Sequence, residues 1–439
     1  MKKEIIEPRT LPGFMELLPQ EQILFNSMKD TIRKSYEKFG FLPLNTPIIE
    51  LSEILLAKAG GETEKQIYRF NKGENDLSLR FDLTVPLAKY VAMNYNELSF
   101  PFRRYQIGKV YRGEKPQKGR YREFYQCDID IIGDGQLSII NDAEIPNVIY
   151  ETFKQLGFED FTICINNRKI LNGLYEYLEL KEKATDIMRL IDKVDKIGLE
   201  NLKLSLVDLE IPEDKINIIL GFIQIEGTNE VKIEKLNALG INNEIFKEGV
   251  NELETVINYA IKFGMPENNL LIELKIARGL DYYTGTVYET ILNDYKELGS
   301  VCSGGRYDNL AGFYTDKPLP GVGISIGLTR LFYKLNEINA IKAEKKSISD
   351  LIIISVDEDL DKCLEVASIL RNNDINVEVY LENKKMKSKF KYIDKSNIPY
   401  IIIIGEDERK TDKLVFKDNN TREQYSMTIE EIIKKIKKI

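Results

Sequence analysis

Not one histidine occurs among the 439 residues, and tryptophan is missing as well. Without imidazole the chain has no Ser-His-Asp or Cys-His nucleophile, and it lacks the commonest general base at neutral pH. Cysteine is sparse: Cys127, Cys164, Cys302 and Cys363 stand far apart with no knuckle spacing. One of the two usual zinc-ligand types is therefore gone, so reduced thiols and no structural zinc are expected. Long apolar runs are lacking too. The longest purely aliphatic stretches, residues 351–354 and 401–404, fall far short of a membrane span, so no membrane partner is expected. Residues 1–13 carry Lys2, Lys3, Glu4, Glu7 and Arg9 without the apolar core of a leader, which points to the cytoplasm. No GxxxxGK[ST] occurs, and GVGISIGLTR at 321–330 does not read GxGxxG, so P-loop and Rossmann sites are disfavoured. A net charge of −8 argues against a general nucleic-acid coat while leaving room for a local basic patch.

What is present is a soluble, globular composition, 43% hydrophobic and 30% charged, long enough for two or three domains. Residues 1–166 alternate short apolar segments with turn residues, apart from amphipathic stretches such as 21–39. Residues 168–269 switch to long Lys/Glu/Leu/Ile text, for example 183–199 and 243–263, which predicts helices inserted into a domain that resumes at 278–289 and 321–335. Residues 341–349 read as a polar linker. Beyond it, strand 351–356, helix 361–372, strand 377–380, helix 386–394 and strand 400–405 predict a small α/β domain with a largely parallel sheet.

Three groups of segments carry chemistry. Residues 77–84 (LSLRFDLT) alternate without a break, placing Ser78, Arg80, Asp82 and Thr84 on one face. That is an ordinary half-exposed strand, or a face able to hold an ammonium group on Asp82 with Thr84 beside it. Residues 102–133 read as two alternating segments around a polar loop. Gln126, Asp128 and Asp130 share one face of the second segment, and Arg103, Arg104 and Arg112 make the region rich in groups that can clamp phosphate. Residues 277–289 and 302–308 set glycines beside Arg278, Asp281, Tyr282, Tyr283 and Arg306, which suits tight turns or close backbone approach to a ligand.

Taken together these segments resemble the class II aminoacyl-tRNA synthetases, and within them the histidyl-tRNA synthetase family. The first class motif is similar to residues 38–50 with Pro47, the second to 102–126 with Tyr111-Arg112-Gly113-Glu114, and the third to 321–330 ending in Arg330. Two stretches peculiar to the histidine enzymes resemble 278–289 and 303–308. The resemblance implies an α+β fold: an antiparallel catalytic sheet with flanking helices over 1–340, a helical insertion at about 168–269, and an α/β anticodon-binding domain over 350–439. It implies ATP with Mg²⁺, L-histidine and tRNA(His) as partners, and a homodimer formed through the first motif around Pro47.

By the same resemblance, Asp82 and Thr84 hold the amino group of histidine and Gln126 contacts the amino-acid moiety. Asp130 and Tyr283, with Tyr282 alongside, read the imidazole. Arg112 and Arg278 are the catalytic pair on the α-phosphate, Glu114 lies beside the adenine, and Arg330 grips the far end of the triphosphate. Gln117 and Arg122 face the tRNA acceptor end. Thr329, Lys115 and Tyr125 depart from the usual glutamate, arginine and histidine. The alternative from another class is an inactive paralogue serving as regulatory subunit of ATP phosphoribosyltransferase. Such chains lack the anticodon domain and typically lose the 278–289 pattern, both of which this sequence keeps. A tRNA-sensing module of a larger signalling protein is a weaker rival, since the sequence shows no further domain. In the last block, six lysines in 384–395 with Phe390 and Tyr392 form a candidate phosphate-binding patch or a solvated helix face.

The missing histidine has two explanations. A chain rich in Ile, Lys and Asn that also lacks Trp carries an AT-type composition, and an enzyme making histidyl-tRNA gains by not consuming it. On the second explanation, surface histidine codons introduced into the gene lower synthesis of the protein in histidine-limited cells. Equal synthesis from both genes under limitation leaves composition as sufficient.

Overall fold

The computed structural model describes residues 5–57, 62–115, 120–276, 282–343 and 345–438. The chain divides into two compact units, Met1–Met15 with Met28–Ile338, and Glu16–Ser27 with Asn339–Ile439.

In the first unit the short strands β1 (Leu42–Pro43), β2 (Ile49–Leu51), β3 (Arg69–Lys72) and β4 (Asn75–Leu79) precede a long hairpin of β5 (Phe102–Tyr111) and β6 (Glu123–Ile132). Then come β7 (Phe161–Asn167), β8 (Leu270–Ile272), β9 (Thr286–Leu292), β10 (Cys302–Tyr307) and β11 (Gly321–Ile326). Eight strands form one sheet in the order β1-β5-β6-β11-β10-β9-β7-β8, and β2-β4-β3 form a small separate sheet. The large sheet is antiparallel except at its margins, where β1 pairs with β5 and β8 with β7 in parallel.

The period-2 alternation of the hairpin explains which face is which. Cys127, Ile129 and Ile131 are fully buried on one face. Beneath that core the helix Ile140–Gln155 contributes Ile145, Val148, Ile149 and Phe153, each also fully buried. Burying each such aliphatic or aromatic side chain contributes about 1.5–3 kcal/mol. The opposite face carries Gln126, Asp128 and Asp130 and lines a cavity. The sheet thus holds polar groups in fixed register on one side because it is anchored by an apolar layer on the other.

Residues 168–262 are helical, from Arg168–Tyr177 to Glu244–Lys262, with Asn167, Thr228 and Asn243 side chains accepting from backbone N–H groups in the first turn of their helices. The expected single helix over 183–199 is broken. It consists of a turn at Lys181–Lys183 and helices Ala184–Ile191 and Val194–Ile197, stopped at Gly198 with φ 80°. The strand expected over 77–84 ends at Leu79. Arg80 leaves the small sheet with its side chain 2% exposed, donating from Nε to the Lys109 carbonyl (2.8 Å) and from Nη1 to the Thr46 carbonyl (2.6 Å). A helix, Thr84–Met93, starts directly afterwards.

In the second unit, β12 (Leu351–Ser355), β13 (Val377–Val379), β14 (Tyr400–Ile404), β15 (Leu414–Asp418) and β16 (Gln424–Met427) form one sheet in the order β13-β12-β14-β15-β16. The first three are parallel, and β15 and β16 turn it antiparallel, so the sheet is mixed rather than largely parallel. Its aliphatic runs are buried on both faces: Leu351 and Ile353 pack with Val366, Leu370 and Ile432, whereas Ile352 and Ile354 pack with Ile393 and Ile398. Within the six-lysine stretch, Lys389 is 4% exposed and donates to the Ser355 carbonyl at 2.8 Å, which removes it from any phosphate-binding surface. Among the described residues no helix is long and apolar enough to cross a membrane.

Candidate active site

A cavity of about 520 Å³ lies over β6, β11 and β10 of the first unit. This is the size of a small-molecule site. It collects side chains from the segments 77–84, 102–133, 277–289 and 321–330: Asp82, Thr84, Arg112, Glu114, Gln126, Asp130, Tyr282, Tyr283 and Arg330 all line it. Arg278 and Gln117 lie outside the described residues.

Asp82 sits just before the helix Thr84–Met93, and its Oδ1 accepts from the Val85 N–H at 3.0 Å. Burial pushes its carboxyl up, while that backbone bond and the neighbouring Arg112 pull it back down. Arg112 follows the end of β5. Its guanidinium lies 4.2 Å from the Phe81 ring centre and 5.1 Å from that of Phe124, and Nε donates to the Phe81 carbonyl at 3.2 Å. Burial lowers its pKa, while the Asp82 and Glu114 carboxylates raise it. A cation stacked between two rings and tied to a carbonyl is held in one orientation before any ligand arrives.

The floor is the polar face of β6. Gln126 Nε2 donates to Ser325 Oγ at 2.9 Å. Asp130 accepts from the Tyr307 hydroxyl at 2.7 Å, and its other oxygen lies 2.5 Å from Arg104 Nη2. The cross-strand register puts Gly323 opposite Asp130. A Cβ at that position would overlap the Asp130 carboxylate, so glycine is required for the carboxylate to lie there. Burial pushes the Asp128 carboxyl up to about 7 and the Asp130 carboxyl up to about 6, with Arg104 as the main opposing influence on both. The folded chain therefore binds protons at these groups more tightly than the unfolded chain. That contribution favours folding below about pH 4 and is lost as the pH rises through 6 and 7.

The other end of the cavity is cationic. Arg330 donates from Nη2 to the Leu298 carbonyl at 2.6 Å and feels the charge of Arg120, and Arg120 and Lys334 line the same wall. Glu114 is bridged by Arg120 at 3.4 Å. Thr329, which stands where the resemblance leads one to expect glutamate, is 2% exposed and accepts from the Tyr125 N–H at 2.8 Å. It is a buried partner of the β6 backbone and does not line the cavity.

Several arginines do not act as the sequence suggested. Arg103 is turned to the other face, donating to the Phe39 carbonyl (2.9 Å) and bridging Glu144 (2.7 Å). Arg104 is fully buried behind Asp130, and Arg306 is buried against Asp142 at 2.7 Å. None of these lines the cavity; they are structural partners of carboxylates. Arg122 donates from Nε to the Glu114 carbonyl at 3.0 Å and does not line the cavity either. Conversely, Asp128, Ser325, Tyr307, Arg120 and Lys334 line it without having been assigned a role from the sequence. For Asp128 the signal was present, since it shares a strand face with Gln126 and Asp130.

A family model described as histidyl-tRNA synthetase matches residues 13–331, and one described as anticodon binding domain matches residues 350–439. The chain is similar to the histidine–tRNA ligase of Clostridium tetani, with 60% identity over 438 residues covering 100% of both chains. It is 49% identical over 433 residues to that of Finegoldia magna, covering 99% of this chain and 100% of the relative. Among solved structures, the histidyl-tRNA synthetase of Nostoc sp. PCC 7120 has a TM-score of 0.91 at 38% identity, covering 99% of this chain and 100% of the other. A Bacillus halodurans protein described as an ATP phosphoribosyltransferase regulatory subunit/histidyl-tRNA synthetase has a TM-score of 0.75 at 21% identity, covering 92% of this chain and 99% of the other; that is a likeness of fold.

Proposed function

The chain belongs to the histidyl-tRNA synthetase family, and from that premise we infer how its cavity carries out the ligase reaction. The chain joins histidine to tRNA(His) at the expense of ATP. The observation that carries the site reading is one cavity with two charge environments, carboxylates beside Arg112 at one end and Arg120, Arg330 and Lys334 at the other. A zwitterionic amino acid suits the first end and a triphosphate the second.

In this reading Asp82 and Thr84 hold the histidine ammonium, Gln126 contacts the amino-acid moiety, and Asp130 with Tyr282 and Tyr283 faces the imidazole. The histidine carboxylate attacks the α-phosphorus, forming the acyl–phosphate bond and expelling pyrophosphate. Arg112, joined by Arg278, offsets the charge that develops on the α-phosphate oxygens, Glu114 lies beside the adenine and Arg330 holds the departing end. In the second step the 3′-hydroxyl of the terminal adenosine of tRNA takes the acyl group and AMP leaves, with Gln117 and Arg122 toward the acceptor end. No step needs a nucleophile from the protein, which accords with a chain free of histidine.

Among the described residues no cluster of three or more metal-ligating side chains occurs, while Glu114 and Glu289 offer hard oxygen donors in the cavity wall. That donor set fits Mg²⁺ arriving with the triphosphate, whose chemistry is to neutralise phosphate charge. Within this proposal the catalytic domain spans 1–340 with its insertion at about 168–269, a linker covers 341–349, and 350–439 binds the anticodon. The enzyme works in the cytoplasm as a homodimer through the region of Pro47. The exposed side chains of Leu42, Ile48, Ile49 and Leu51 supply an apolar surface there.

The test is ATP–pyrophosphate exchange without tRNA. Histidine alone among the amino acids is expected to support it. Folded protein showing no exchange with any amino acid would favour the regulatory-paralogue reading.

A further inference from the structure

Asp128 is 2% exposed, lines the cavity, and has an Oδ1 with no hydrogen-bond partner. A buried carboxylate oxygen without a partner is costly, so its position needs a reason. Its neighbour Asp130 is differently placed: one oxygen takes the Tyr307 hydroxyl at 2.7 Å and the other lies 2.5 Å from Arg104. The carboxylate assigned to the imidazole by resemblance is already engaged at both oxygens, whereas the unassigned one has an acceptor to spare.

Resting on the histidine reading of this site, we propose that Asp128 is a second imidazole-reading residue. Together Asp128 and Asp130 take the ring with both nitrogens protonated, so that histidine binding draws a proton from solution. Two residues apart on one strand face places their Cα atoms about 7 Å apart. That spacing suits a ring with an acceptor about 2.8 Å from each nitrogen. Ser325 on β11 stands opposite Asp128 in the cross-strand register, and its hydroxyl accepts from Gln126.

Asp128 lies among charged groups from several elements. Arg104 on β5 faces it, as do Asp130 on its own strand and Asp82 from the segment before the helix Thr84–Met93. Arg80, Arg112 and Tyr283 also feel its charge, as do Tyr36 and Cys302 from the apolar side of the sheet. Among the described residues, the carboxyls of Asp82, Asp128 and Asp130 share this region with the guanidinium groups of Arg80, Arg104 and Arg112. Burial pushes the Asp128 carboxyl up to about 7, which gives the bound complex a ready place to share that proton.

Calorimetry of histidine binding to the wild-type protein, in buffers of different ionisation enthalpy, counts the proton directly. At pH 8 most of one proton should be taken up. At pH 6 the uptake should shrink, because ring or carboxyl already carries the proton. Asp128→Asn should weaken histidine binding by about tenfold or more, leave the KM for ATP unchanged and abolish the uptake. Wild-type binding without net proton exchange across this range overturns the inference, as does a variant with unchanged affinity and uptake. Failure of the reading beneath it is a separate result, namely the absence of histidine-dependent pyrophosphate exchange in the wild type.

Discussion

Replacing Arg112 by alanine is expected to lower kcat for adenylate formation by about 10²–10³, with a smaller change in the KM for histidine. The guanidinium is stacked between Phe81 and Phe124 and tethered to the Phe81 carbonyl, so it is oriented without ligand. Preorganised charge acts most on the state in which negative charge builds up at the α-phosphate. Arg112→Lys keeps the charge but loses the stacked fork, and should recover only part of the rate. Single-turnover formation of the adenylate separates the two parameters. A variant with normal kcat and impaired histidine affinity would assign Arg112 to ground-state binding. By resemblance Arg278→Ala should cost about 10² in the same step.

Asp130→Asn should depress histidine activation by a similar factor and also destabilise the fold. The substitution keeps the shape but withdraws the charge facing the fully buried Arg104, whose Nε and Nη1 have no hydrogen-bond partners of their own. Asp128 still faces Arg104, so the loss is part of the roughly 3 kcal/mol that a wholly unpaired buried guanidinium would cost. The substitution also offers a donor where Tyr307 already donates. The loss should be visible as a lower melting temperature in the apo protein and, below that temperature, as reduced pyrophosphate exchange. A folded variant with near-normal activation would place imidazole recognition elsewhere in the cavity.

Much of this site was legible because strand alternation is a strict rule. The reading of residues 102–133 put Gln126, Asp128 and Asp130 on one face and Cys127, Ile129 and Ile131 on the other, and the structure has that division. Alternation failed at 77–84, where the pattern continued in the text but the backbone did not. Arg80 is drawn into backbone carbonyls, and Asp82 serves both the cavity and the first turn of the next helix. The arginines misled for a related reason. A guanidinium suited to phosphate is equally suited to a buried carboxylate, and only tertiary packing distinguishes Arg112 from Arg104 and Arg306. In the second unit β15 and β16 escaped notice because Leu414–Asp418 and Gln424–Met427 mix charged and polar residues near the edge of the sheet. The break at Gly198 was equally hidden in a stretch of uniform helical composition.

The most direct measurement is the initial rate at which the purified full chain charges unmodified tRNA(His) transcript, with ATP and Mg²⁺ and each amino acid in turn. Histidine should be attached in an ATP-dependent reaction, and no other amino acid should be attached at a comparable rate. Charging with a different amino acid, or none by folded protein, would contradict the assignment.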